Sequence, residues 1–159
     1  MRPLPHTRSC FFCGEDNPFG LRLRFETDGR IVRTRFTPSP GQIGFQNVTH
    51  GGILATVLDE IMVWACAVAT RRFAYCAELT TRFHQPARPD SPLSVTAELV
   101  ENRRGRVLTA KADILDTDGQ KVASASGRYR PILPALVPGM LSDVVGDVSW
   151  IEGIEPDTK

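Results

Sequence analysis

The sequence predicts an α+β fold in which a six-stranded antiparallel sheet curls around one long apolar helix. Three observations lead to this prediction: a nearly uniform apolar stretch in the middle of the chain, six segments with strand-like patterning, and turn-forming residues between them. The chain has 159 residues, of which 42% are hydrophobic and 23% charged. This size and composition suit one folded domain with a substantial core.

The apolar stretch extends from Ile53 to Thr70, and fourteen of its eighteen residues are apolar. A surface helix has a polar face opposite its apolar stripe, whereas this segment is apolar almost all around. Its length approaches that of a membrane span, but Asp59 and Glu60 lie in its middle, where charges are costly in a bilayer. We therefore predict a helix from Gly52 to about Arg71 that is buried by the rest of the chain.

The six predicted strands alternate apolar and polar residues or end at turn-forming residues. Two precede the helix and are joined by a tight turn at Thr27-Asp28-Gly29. Four follow it, and the short breaks between them make consecutive strands antiparallel. The predicted strands are residues 21–26, 31–36, 75–84, 93–101, 106–116 and 121–130.

We divide the chain into an N-terminal loop segment (1–18), a single domain (19–131) and a C-terminal tail (132–159). The first segment has no apolar run of the signal-peptide kind. Four cysteines are too few for a disulfide scaffold, so we expect thiols and a cytoplasmic protein. The tail is expected either to form one short helix across the surface or to stay mobile.

Charge is almost balanced, with 19 Lys and Arg against 18 Asp and Glu, for a formal net charge of +1. A strongly basic surface is the usual feature of proteins that bind nucleic acid or an anionic membrane. The composition therefore argues against both kinds of partner.

The loop that enters the helix reads FQNVTHGGI over residues 45–53. Gly51 and Gly52 place no side chain in front of the free N–H groups of the first helical turn, where the helix dipole favours negative charge. This arrangement suits an oxyanion site for a carbonyl substrate. The alternative is that the glycines only allow a tight turn into the helix.

A carboxylate inside an apolar helix needs either a structural partner or a chemical role. For Asp59 the candidates are an ion pair with Arg71 or Arg82, a backbone donor, or catalysis. Glu60 points about 100° away around the helix. A salt bridge or a side chain that reaches solvent explains Glu60 better than catalysis does.

Gly52 and Asp59 are seven residues apart, which is roughly 10 Å along a helix. Reacting groups must come within about 3–3.5 Å of each other. One carbonyl therefore cannot meet both residues of the same helix. If both act on it, the active site is shared between two subunits.

Residues 50–60 (HGGILATVLDE) resemble the central-helix motif of the hotdog-fold acyl-CoA thioesterases, in particular the PaaI-like branch. The likeness lies in His-Gly-Gly followed by an acid nine residues after the histidine. The segments Cys10–Leu21 (CFFCGEDNPFGL), Glu78–Phe83 and Gly105-Arg106 also resemble parts of this family. The resemblance covers about residues 10–130.

The resemblance implies a hotdog domain that hydrolyses a small or medium acyl- or aryl-CoA thioester to a carboxylate and CoA. Asp59 would be the base or the nucleophile, the amide of Gly51 or Gly52 would polarise the carbonyl, and His50 would orient the loop or the substrate. Such enzymes are homodimers or dimers of dimers and need no cofactor besides the CoA of the substrate. A non-catalytic acyl-thioester-binding protein is the alternative, and a hotdog hydratase or dehydratase a third.

The chain also departs from the family pattern. Gly44 lies six residues before His50, where relatives often have an amide side chain, so the nearby Asn47 and Gln46 are the candidates to position water and to bind substrate. Cys76 stands where many relatives have Thr or Ser, and it either lines the site or is a buried structural thiol.

Two further residues are predicted to bind the substrate. Thr80 belongs to the strand segment that resembles the family. Arg106 lies in a basic turn that suits the phosphates of CoA, although a solvated turn explains any single arginine there better.

We predict no metal site. Cys10-x-x-Cys13, preceded by His6, offers two thiols, but no second pair of ligands follows at suitable spacing. Glu15 and Asp16 are poor substitutes for soft ligands. The two cysteines are expected to pack against the sheet.

Overall fold

A computed structural model describes residues 1–152, and its central element is a long buried helix, α1 (Gly51–Thr70). The helix begins and ends one residue earlier than predicted. It is long and apolar enough to cross a membrane by length and composition alone. Nine of its side chains are buried within the domain, and α1 is the core helix of the fold.

An antiparallel sheet surrounds this helix. The strands are β1 (Arg2–Pro3), β2 (His6–Thr7), β3 (Glu26–Thr27), β4 (Ile31–Phe36), β5 (Ile43–Phe45), β6 (Val48–Thr49), β7 (Ala74–Phe83), β8 (Leu93–Arg103), β9 (Val107–Leu115), β10 (Lys121–Pro131) and β11 (Val144–Val145). Seven of them form one sheet in the order β1-β3-β4-β8-β9-β10-β7, while β2 pairs with β11 and β5 with β6. The main sheet therefore has one strand more than predicted, the two-residue β1.

Alternate side chains of β8, β9 and β10 point into the core, because successive residues of a strand face opposite sides of the sheet. The buried ones include Val95, Ala97, Leu108, Ala110, Ala112, Ile114, Ala125 and Tyr129. These strands pack along α1, and the predicted α+β architecture is confirmed.

Of the strand predicted over residues 21–26, only the last residue lies in a strand, as part of β3. Arg22 has a φ of +54°, which interrupts an extended chain. The N–H groups of Leu21 and Leu23 donate to the carbonyls of Phe11 and Phe12 at 2.9 and 2.8 Å. This part of the chain thus pairs with the N-terminal segment, a long-range contact that alternation alone does not reveal.

Both ends of the chain take part in the fold. The N-terminal segment, predicted to be a loop, contributes β1 and β2. After β10 the chain forms a 3₁₀ turn (Pro134–Leu136), a short helix α2 (Val137–Met140) and β11. A small second cluster of Ile132, Val137 and Ile151 packs the tail beside the end of α1, and residues 153–159 of the tail lie outside the described residues.

Candidate active site

The first turn of α1 is capped by the residue before it. His50 is the N-cap, and its Nδ1 accepts a 2.8 Å hydrogen bond from the Gly52 N–H. Gly44 packs on the histidine, since a Cβ there would lie 3.0 Å from the His50 ring. His50 thus orients the loop, and the Gly52 amide is not available to a substrate as long as the cap is formed.

The Gly51 N–H has no acceptor within residues 1–152. It opens on a mostly apolar groove of about 420 Å³ whose lining includes His50, Phe83 and Phe45. A side chain at Gly51 would contact the Phe83 ring at 3.2 Å. Of the two glycine amides singled out in the sequence, Gly51 is therefore the one free to bind an oxyanion.

Asp59 is held by a tyrosine from the sheet. The Tyr129 hydroxyl donates a 2.8 Å hydrogen bond to Asp59 Oδ1, and the Tyr129 side chain is fully buried. Burial and the neighbouring Asp59 raise the pKa of the Tyr129 phenol. The hydroxyl thus stays protonated near neutral pH and donates to Asp59.

A bulge between β10 and β7 sets the position of this tyrosine. The register shifts between Arg128 and Tyr129, so that Arg128 lies opposite Glu78 while Tyr129 lies opposite Cys76. Bulges re-aim side chains and are common next to active sites. Here the irregularity brings the thiol and the phenol to the same carboxylate.

Asp59 and Cys76 line an apolar cavity of about 270 Å³ between α1, the start of β7 and the C-terminal tail. Its apolar walls come from Val63, Phe73, Ala74, Ile132, Val137, Met140 and Leu141. Burial raises the pKa of the Cys76 thiol to about 11, and the Asp59 carboxylate adds to this effect. Cys76 is therefore a neutral thiol near neutral pH and a poor nucleophile.

Asp59 and Gly51 lie in separate places within one chain. The groove at Gly51 and the cavity at Asp59 share no lining residue. The eight-residue separation corresponds to roughly 12 Å along the helix. The chain thus contains two distinct half-sites, one with a free backbone donor and one with a positioned carboxylate.

The remaining predicted residues lie elsewhere. Gln46 and Asn47 are exposed in the turn between β5 and β6 and line a different groove with Arg88 and Asp90. Within one chain they meet neither half-site.

Thr80 and Arg106 also line neither the groove at Gly51 nor the cavity at Asp59. Thr80 pairs with Ser126, one residue from the helix-facing Ala125, so it lies on the outer face of the sheet. Arg106 is exposed in the β8–β9 turn. That turn lies near the end of α1, since a Cβ at Gly105 would be 3.7 Å from the Arg72 guanidinium.

The sequence analysis missed Tyr129 as a site residue. It lies seventy residues from Asp59 in the chain, and no motif connects the two. The ion pair considered for Asp59 is also not formed within residues 1–152, where neither Arg71 nor Arg82 forms a salt bridge with it. Arg71 instead donates from Nε to the Trp150 carbonyl at 2.8 Å. The one signal in the sequence that pointed to Tyr129 was its position as a single tyrosine near small residues on β10.

Comparison with known proteins agrees with the motif. Residues 46–123 match the family model described as the thioesterase superfamily. One solved structure, a thioesterase superfamily protein, is 31% identical with a TM-score of 0.71, and the match covers 77% of this chain and 63% of that one. The chain thus spans less than two thirds of that relative.

More distant structures have the same fold. The PaaI protein of the phenylacetic acid degradation operon of E. coli has a TM-score of 0.65 at 19% identity, over 71% of this chain and 81% of its own. A hypothetical thioesterase from Streptococcus pneumoniae, solved with coenzyme A, has a TM-score of 0.62 at 18% identity, over 69% and 85%. No curated protein matches by sequence.

The antiparallel sheet wrapped around α1 defines a hotdog-fold protein. Over residues 46–123 the chain is similar to the thioesterase superfamily. The 31%-identical structure is likewise of that superfamily, and PaaI shares the fold of this chain.

Proposed function

We propose that this protein hydrolyses acyl-CoA thioesters to a carboxylate and free CoA, with Asp59 as the catalytic acid-base residue or nucleophile. The observation that carries the proposal is the Asp59 carboxylate, held by Tyr129 at 2.8 Å and lining an apolar cavity. An acyl chain fits the cavity while its carbonyl lies at the carboxylate.

In the general-base form, Asp59 accepts a proton from water as the water oxygen attacks the carbonyl carbon. The carbon–sulfur bond then breaks, and the CoA sulfur leaves with a proton returned by Asp59. In the nucleophilic form, a carboxylate oxygen attacks first and the carbon–sulfur bond breaks, so that CoA leaves as the thiolate. Water then hydrolyses the resulting anhydride, which releases the acyl group as a carboxylate and restores Asp59. Both forms place negative charge on the carbonyl oxygen, which the Gly51 N–H would stabilise.

The two half-sites favour a site shared between subunits. Gly51 of one protomer would meet the carbonyl whose carbon faces Asp59 of its partner. Strand β7 supports this arrangement, because it is ten residues long and has β10 on one side only. A long edge strand with free backbone groups is a natural pairing surface for a second copy.

The substrate class rests on the cavity and on related structures. A volume of about 270 Å³ with apolar walls suits a small or medium acyl or aryl group. Structures with the same fold include proteins with coenzyme A or acetyl CoA bound. In this chain Arg104 and Arg106 form no ion pair among residues 1–152 and would be available to the phosphates of CoA.

The direct test is to measure hydrolysis of a panel of acyl- and aryl-CoA thioesters by the amount of free thiol released. Asp59→Asn, which keeps the size of the side chain, should lower kcat by about 10³-fold or more for a residue central to the chemistry. Asp113→Asn is the matched control, since Asp113 pairs with Lys121 on the surface. Equal rates for wild type and Asp59→Asn would overturn the assignment.

The same panel tests the alternative of an acyl-thioester-binding protein. That alternative requires measurable acyl-CoA binding to the wild type with no turnover of any thioester. Hydration of an enoyl-CoA without hydrolysis would instead identify a hydratase.

A further inference from the structure

A loop near the N-terminus brings two thiols next to a carboxylate of the central helix. One ligand atom each from Cys10, Cys13 and Glu60 lies within 4.8 Å of the others. We propose that these three side chains bind one thiophilic divalent cation, with Zn²⁺ as the probe. Two thiolates and a carboxylate are ligands that Zn²⁺ accepts, and three protein ligands leave one tetrahedral position for solvent.

The loop is already folded in a shape that presents both thiols. The Gly14 N–H donates to the Cys10 carbonyl at 2.9 Å, and the Phe12 N–H donates to Cys10 Sγ at 3.2 Å. A side chain at Gly14 would overlap the backbone of Arg8 and Cys10, so this tight turn requires glycine. The backbone donor to Cys10 favours the thiolate form that a metal needs. The Cys13 thiol donates to the Thr7 carbonyl at 3.9 Å and would exchange this contact for the metal.

Glu60 supplies the ligand that spacing along the chain could not reveal. No Lys, Arg or His within residues 1–152 forms a salt bridge with it, so the ion pair considered from the sequence is not formed. Glu60 is only partly exposed, and its carboxylate lies within 4.8 Å of both sulfurs. A cation between the carboxylate and the two sulfurs would remove the cost of this unpaired group.

A disulfide is the competing explanation for the two cysteines. It would join Cys10 and Cys13 with the loss of two hydrogens and leave Glu60 without a positive partner among residues 1–152. A metal accounts for all three side chains at once. It would also fasten the N-terminal segment to α1, which adds stability because the ligands are assembled only in the folded chain.

The test uses the full chain, purified with a reductant and stripped by a chelator, and then titrated with Zn²⁺ and Co²⁺. We expect one ion per chain, a sulfur-to-cobalt charge-transfer absorption, and a rise in Tm with Zn²⁺. Cys10→Ser and Cys13→Ser should abolish the absorption, and Glu60→Gln should weaken Zn²⁺ binding at least tenfold. Cys76→Ser and Glu78→Gln are the controls and should bind as the wild type does.

Several results would overturn the proposal. One is the absence of stoichiometric binding by the reduced wild type. Another is binding that Glu60→Gln leaves unchanged; because this variant keeps both thiols, it stays informative even if the cysteine variants fold poorly. A third is a Cys10–Cys13 disulfide that mass spectrometry still detects after treatment with the reductant. All these readouts are independent of thioester hydrolysis.

Discussion

The Tyr129 hydroxyl and the Asp59 carboxylate, seventy residues apart in the chain, are joined by a 2.8 Å hydrogen bond. The bond links the central helix to the last long strand. It leaves Asp59 at the wall of the apolar cavity, with one carboxylate oxygen fixed. Tyr129 is thus a positioning residue for Asp59.

Tyr129→Phe should lower kcat by about 10- to 100-fold with little change in KM. The physical reason is that a hydrogen bond to a charged group contributes about 1.5–3 kcal/mol, and the variant removes only the hydroxyl. Steady-state kinetics on the best thioester of the panel would measure the effect. In a protein that already carries Asp59→Asn, Tyr129→Phe should lower kcat no further. An equally large loss of kcat in that protein would show that Tyr129 does not act through Asp59.

Gly127→Ala should disturb the same tyrosine from the strand side. A Cβ at Gly127 would lie 2.5 to 2.8 Å from three atoms of the Tyr129 side chain, its hydroxyl among them. The ring must therefore shift, which disturbs its hydrogen bond to Asp59, and both Tm and kcat should fall. In the double variant, the losses in kcat of Gly127→Ala and Tyr129→Phe should be far from additive. Additive losses would show that Gly127→Ala does not act through Tyr129.

Local periodicity predicted the helix and the antiparallel sheet, which are confirmed. One motif singled out the acid at position 59, whose catalytic role stays a prediction. The sequence did not predict Tyr129 or the approach of Glu60 to Cys10. Those contacts depend on the bulge in the pairing of β10 with β7 and on how residues 8–14 fold back onto α1. Such long-range geometry has no signature in local spacing.

The candidate oxyanion donor can be removed with little change to the helix. Gly51 is the first helical residue after the His50 N-cap, a position where proline is well tolerated, and the extended backbone of His50 suits a following proline. Gly51→Pro deletes the N–H and should lower kcat by about 10²–10³-fold.

Gly51→Ala controls for the added bulk at this position. It adds a methyl group that would contact Phe83 at 3.2 Å. Because it keeps the N–H, its loss of activity should be small. Circular dichroism should show the helix intact in both variants. A Gly51→Pro protein as active as Gly51→Ala would exclude this amide as the donor.

Asp28 should make folding sensitive to acid. Its carboxylate accepts hydrogen bonds from the Ile31 and Arg30 N–H groups and pairs with Arg33, and these contacts hold the Asp28 pKa well below its usual range. The stabilisation is present above the unfolded-state pKa of about 3.9 and is lost as the pH falls below it.

Asp28→Asn should therefore lower Tm at neutral pH by an amount that shrinks as the pH falls below about 4. Thermal unfolding between neutral and acidic pH would measure this. Asp118→Asn, in the second Asp-Gly turn, is the matched control because its carboxylate accepts no hydrogen bond among residues 1–152. A Tm difference between wild type and Asp28→Asn that stays constant across the pH range would contradict the linkage.

Mixing two inactive variants should restore activity if the site is shared between subunits. In a heterodimer of Asp59→Asn and Gly51→Pro chains, one site has both wild-type residues and the other has neither. Random pairing makes half of the dimers mixed, and half of their sites are intact, so the mixture should regain about a quarter of the wild-type rate. The measurement is activity after the two proteins are unfolded and refolded together, compared with each refolded alone. A site built within one chain predicts no recovery, because every chain in the mixture carries one of the two defects.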